Sequence, residues 1–149
     1  MIRLLRLPRG YIDANRYRKN GRLIQMIEFP SMDEVNAILS DLADEIPSDF
    51  FIELHGGILL IEPPKMHPDS QTGRPFYIMG EYVRNNLGCQ IKIYYGSFKK
   101  IYPTASINHL RDALKETLIH EFTHHLEHRA GLRGLEIKDA KMLSDYKKK

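Results

Sequence analysis

The stretch Leu114-Lys115-Glu116-Thr117-Leu118-Ile119-His120-Glu121-Phe122-Thr123-His124-His125-Leu126-Glu127 carries the pattern H-E-x-x-H at 120–124. Around it, Leu110, Leu114, Leu118, Phe122 and Leu126 recur every four residues, the spacing of an apolar stripe on an α-helix. The periodicity predicts a long helix over 106–129. On that helix His120 and His124 stack on one face, about 6 Å apart along the axis. Two imidazoles so placed can share one Zn²⁺, and the glutamate between them can take a proton from metal-bound water. Ala113 falls on the same stripe as the two histidines, and its small side chain suits a crowded cleft. The pattern therefore predicts a zinc site with His120 and His124 as ligands and Glu121 as the catalytic base of a hydrolase.

A third ligand is sought downstream. His128 extends the series to i, i+4, i+8, but it lies about 12 Å from His120 along a straight helix, too far for one ion with bonds near 2 Å. Glu127 has the same difficulty unless the helix unwinds. Gly131 and Gly134 are read as ending the helix, and 135–146 as a last, shorter one. A turn there would bring Glu136 or Asp139 back toward the ion. Glu136 is placed first as third ligand and Asp139 second, because an acid beside two histidines is a known catalytic set. The residue of the two that is not a ligand could orient a histidine from behind. His125 points about 100° away from His124 and reads as a packed, hydrogen-bonded histidine. Tyr94, Tyr95 and Tyr146 could each offer a phenol to a developing oxyanion or serve as packing.

Upstream, Ser31 or Asp33 caps a helix whose apolar positions are Val35, Ile38, Leu39 and Leu42, closed by Pro47. Residues 50–54 and 58–62 flank His55-Gly56-Gly57 as a hairpin-like pair of strands. Residues 65–75 read as a polar surface loop. Residues 76–86 read as a short strand followed by a helical turn. Residues 90–95 alternate as a half-buried strand, which Gly96 breaks, and 98–102 pair with it or continue. The order gives an α+β layout, with helices packed on one side of a small sheet.

At 149 residues and 42% hydrophobic, the chain fits one domain with a modest core. Its apolar runs are too short to span a bilayer and no secretion signal is read, so a cytoplasmic location is expected. Cys89 is the sole cysteine, which rules out an intrachain disulfide and a thiolate-based structural zinc site. Residues 1–28 hold seven basic side chains against two acidic ones. This extension contains Asn20-Gly21, a hairpin turn signal. No nucleic-acid motif accompanies it, so it reads as a solvated basic hairpin or strand rather than a nucleic-acid contact. The core is set at 29–146.

The residues LKETLIHEFTHHLE at 114–127, with the doubled histidine His124-His125, resemble the minimal zincin-type metallopeptidases of bacteria. The helix ending in Glu45-Ile46-Pro47, the hairpin, Gly80-Glu81-Tyr82 and the strand Ile93-Tyr94-Tyr95-Gly96 follow that family's order. The resemblance covers roughly 29–126 in layout; only the metal helix is highly specific. It implies a single zincin-like domain in which a mixed sheet packs on the active-site helix. It also implies a substrate peptide lying extended along the sheet's edge. One departure concerns the third ligand. Relatives follow His-His with Phe-Gly and an acid a few positions on, whereas here Leu126-Glu127 follow and the position six past His124 is Ala130. The family's ligand is therefore not carried over by position.

Two functions are expected from these residues. The first is a zinc metalloendopeptidase acting on a peptide or protein substrate. The second is a metal-binding zincin domain with little or no peptidase activity that serves as a regulatory or interaction module. A metal-dependent nuclease is set aside, because zinc endoribonucleases of bacteria use three histidines at another spacing and lack the glutamate. The sequence gives no reading of oligomeric state.

Overall fold

Ser31 starts the first helix by accepting a hydrogen bond at its side-chain oxygen from the N–H of Glu34, 3.2 Å away. Helix α1 spans Met32–Glu45 and buries Val35, Leu39 and Leu42. The capping residue satisfies a backbone donor that the helix itself cannot, which is why the helix begins where the sequence placed it. The computed structural model describes residues 2–6 and 28–133 of the chain. The hairpin expected around Asn20-Gly21, the terminal helix at 135–146, and Glu136, Asp139 and Tyr146 lie outside the described residues.

The other elements, in order, are β1 (Ile2–Arg6), placed before α1, then β2 (Gly57–Ile61), β3 (Lys65–Met66), β4 (Phe76–Asn85), β5 (Gly88–Tyr94), α2 (Tyr95–Ile101) and α3 (Ile107–Arg133). The strands form one mixed sheet in the order β1-β4-β5-β2, with β3 also on β4. β2 runs parallel to β5, while β1, β3 and β5 each pair antiparallel with β4. Gly80 lies opposite Ile93, and Tyr82 opposite Ile91. These directly opposed residues share one face of the sheet. Ile91, Ile93 and Tyr82 are buried on that face beneath α3, together with Leu110, Leu114, Leu118 and Phe122 of the helix. Leu59 and Lys92 oppose each other on the far face, where Leu59 is exposed. The result is the expected α+β layout, with α1 and α3 on one side of a small sheet. Arg111 and Lys115 of α3 pair with Glu45 at the end of α1.

Five sequence expectations are corrected. No hairpin forms about His55-Gly56-Gly57. Instead 48–51 is a short 3-10 turn that buries Phe50, and Glu53 (φ 67°) and Gly57 (φ 65°) take left-handed backbone, redirecting the chain into β2. The polar stretch after Pro64 begins with the two-residue strand β3, and 76–85 is a single ten-residue strand with no helical turn. Residues 95–101 form α2, not a strand. Gly96 makes that turn possible: its N–H donates to the Glu62 carbonyl at 2.9 Å, and an added Cβ would lie 2.4 Å from the Pro64 nitrogen. Helix α3 also runs through Gly131 to Arg133.

Helix α3 approaches the sheet closely at Gly80. A Cβ there would meet Thr117 Cγ2 at 2.7 Å and Glu121 Cγ at 3.4 Å. Gly80→Ala is therefore expected to destabilise the fold by about 1–3 kcal/mol through overpacking. Gly131 lies inside α3 with open space around it. Gly131→Ala is expected to stabilise by about 0.5–1 kcal/mol. Urea unfolding of the two variants checks both signs.

Candidate metal centre

Helix α3 divides the motif between two directions. Residues 117, 121, 125 and 129 recur at intervals of four, and Thr117, Glu121, His125 and Arg129 are all buried. His120 and His124 occupy the neighbouring flank and are half-buried. Their Nε2 atoms converge to 3.2 Å, with the rings nearly perpendicular at 82°. Two nitrogens on one tetrahedral zinc, each at about 2.05 Å, would stand ~3.3 Å apart. The spacing and the imidazole chemistry thus fit a shared ion. His124 turns its other nitrogen, Nδ1, toward the Glu127 carboxylate at 3.7 Å. This places Glu127 behind the ring rather than beside Nε2, where a carboxylate can orient a ligating imidazole. Among the described residues no group of three or more His, Cys, Asp or Glu side chains is arranged to hold an ion.

Glu121 is fully buried, and neither carboxylate oxygen has a hydrogen-bond partner among the described residues. Burial pushes its pKa up to about 8. The backbone N–H groups of Tyr82 and Arg3 offset part of that rise, although neither completes a hydrogen bond of ordinary geometry. A buried, unpaired carboxyl is costly and exists in a native fold for a reason.

His125 is held at both nitrogens. Nε2 is 2.8 Å from the Ile52 carbonyl, which can only accept, so Nε2 carries the proton. Burial lowers its pKa and keeps the ring neutral. Nδ1 then accepts from the Tyr82 hydroxyl at 2.8 Å. This ring is a strut between α3, β4 and the turn before β2, in keeping with the packed role read from the sequence. His128 contacts Arg84 at the surface end of β4 and is not directed at the histidine pair. The Tyr94 hydroxyl donates to Glu81, and that of Tyr95 to the Pro30 carbonyl. The chain before α1 supplies a contact that the sequence did not suggest. Arg3 of β1 lies opposite Gly80 and its guanidinium binds Glu116 of α3 at 2.9 Å. The signal for Gly80 is present in the sequence, since a glycine inside a strand marks close approach of another element.

No family model and no curated protein matches the chain. Among solved structures it is similar to a conserved hypothetical protein from T. thermophilus, with 28% identity and a TM-score of 0.57 over 68% of this chain and 98% of that one. The likeness supports the α+β arrangement. No described helix is long and apolar enough to cross a membrane.

Two outcomes follow from the site. In the metal-free protein the native state keeps a proton on Glu121 that the unfolded chain releases above about pH 4.5, so this group's contribution to stability should fall as pH rises from 4.5 to 8. Glu121→Gln should remove that slope and be more stable than wild type at pH 8 relative to pH 4; equal pH slopes in thermal unfolding would contradict it. His125→Ala should cost about 2–4 kcal/mol, since it opens a cavity and strands the Tyr82 hydroxyl and Ile52 carbonyl. Equilibrium unfolding measures that loss.

Proposed function

We propose that this protein is a zincin-like, zinc-dependent hydrolase of peptide bonds. The observation that carries the reading is the 3.2 Å convergence of His120 and His124 Nε2 atoms on the flank beside a buried, unpaired glutamate. His120 and His124 would hold the ion, with Glu136 or Asp139 supplying a third donor. When bound, Zn²⁺ supplies Lewis-acid activation of water and of the substrate carbonyl. Glu121 takes the proton that the attacking water gives up and passes it to the leaving amine nitrogen. Its raised pKa suits a group that must both accept and release a proton near neutral pH, and a dication next to it would favour its ionised form. His125 acts at one remove, fixing the rotation of α3 through Tyr82 and Ile52.

The second reading, a metal-binding module without peptidase activity, draws support from the complete burial of Glu121, which no substrate reaches while that burial lasts. The two readings part on one comparison. Wild-type protein loaded with one equivalent of Zn²⁺ should cleave unstructured protein or a peptide library. Glu121→Gln should retain zinc and lose about 10²-fold or more in kcat. His120→Ala and His124→Ala should lose zinc, as should Glu136→Ala if that residue is the third ligand, or Asp139→Ala if it is the ligand instead. The absence of any zinc- and Glu121-dependent cleavage would leave the binding module as the surviving reading.

A further inference from the structure

Glu121 is buried against β4, and the strand β1 lies over the same place. β1 adds to the outer edge of β4 with Arg3 opposite Gly80, and Gly80 is the position that abuts the Glu121 side chain. The Arg3 backbone N–H is close enough to act on the Glu121 carboxyl. The Arg3 guanidinium reaches across to Glu116, one turn before His120 on α3. The pairing is bulged at this point: between Arg3 and Leu4 the register skips Met79 on β4. Bulges of this kind re-aim side chains and end pairing, and they concentrate at sheet edges and beside sites.

We infer that β1 is a built-in occupant of the edge along which an extended peptide must lie to reach Glu121 and the His120–His124 pair, and that it must leave that edge before a substrate can bind. The inference rests on the hydrolase reading for the identity of the incoming peptide, but not for the displacement itself. An extended segment gains its affinity from main-chain hydrogen bonds to a free strand edge. β1 takes those hydrogen bonds over Phe76–Glu81, so a peptide in trans competes with it for the same atoms. The hold of β1 on the helix is slight. The Arg3–Glu116 pair lies at the surface, with the glutamate 68% exposed, and the Arg3 Nε atom is buried without a hydrogen bond among the described residues. The other edge of β4 pairs with β5 and β3, so release of β1 leaves the rest of the sheet joined.

The test uses the full chain, zinc-loaded, and a fluorescent synthetic peptide of the sequence Ile-Arg-Leu-Leu-Arg. Leu4→Pro, which removes a strand amide, should bind the peptide at least ~10-fold more tightly than wild type. It should also speed amide exchange across 76–81 while leaving 88–94 protected. Arg3→Glu, which sets like charges against Glu116, should move both readouts the same way by a factor of about 3–5, the scale of a surface ion pair. The charge swap Arg3→Glu with Glu116→Arg should restore wild-type behaviour. Equal peptide uptake by wild type and both variants, with unchanged exchange at 76–81, would overturn the inference. If uptake and exchange shift as described but no variant cleaves anything, the hydrolase reading fails and the displacement stands. If wild type cleaves peptides at the same rate as both variants, the hydrolase reading stands and β1 is no barrier.

Discussion

The close approach of α3 to β4 at Gly80 is the contact on which the rest of this structure depends. A glycine there lets Thr117 and Glu121 sit directly on the strand backbone, where any larger residue would hold the helix off. Helix geometry then settles the other positions. With Glu121 turned toward the sheet, His125 falls on the same buried face one turn later, and His120 and His124 fall on the flank. The neutral, doubly hydrogen-bonded His125 ring locks that rotation, since turning the helix would break its bonds to Tyr82 and Ile52 together. The adjacent histidines 124 and 125 thus have different surroundings because one helical step separates them by about 100°.

The same contact sets the electrostatics. Water is excluded from the Glu121 carboxyl, so its charged form is disfavoured until a cation or a mobile proton partner is near. The histidine pair sits half-exposed next to this dry pocket. The half-buried imidazole pair thus adjoins a fully buried acid on the same helix. The strand that seals the acid comes from a part of the chain far from the motif in sequence. If β1 leaves that edge as inferred above, the acid becomes reachable from the sheet edge rather than from the helix.

What was legible in the sequence follows from the range of each signal. The stripe of Leu110, Leu114, Leu118, Phe122 and Leu126 and the Ser31 cap are local; α1 starts where the cap predicts, and α3 covers the predicted span from Ile107 and runs four residues past it. The alternation around Ile91 and Ile93 marks β5 in the same way. β4 is legible only in part because Gly80 and Glu81 interrupt its alternation, and that interruption reflects a tertiary contact with α3. The false hairpin at His55-Gly56-Gly57 arises because glycines mark a turn without saying whether the next strand returns antiparallel. Here it pairs in parallel with β5, more than thirty residues on. The pairing of β1 with β4 joins residues seventy or more positions apart and has no local signature at all.

The central claim is that His120 and His124 hold one zinc ion. Zinc-edge X-ray absorption on the stoichiometrically loaded protein addresses it directly. One ion per chain is expected, with imidazole scattering from two histidine nitrogens at about 2.0–2.1 Å, reduced in His120→Ala and in His124→Ala. An ion that binds with no imidazole attached to it, or one whose spectrum is unchanged in both variants, would contradict it.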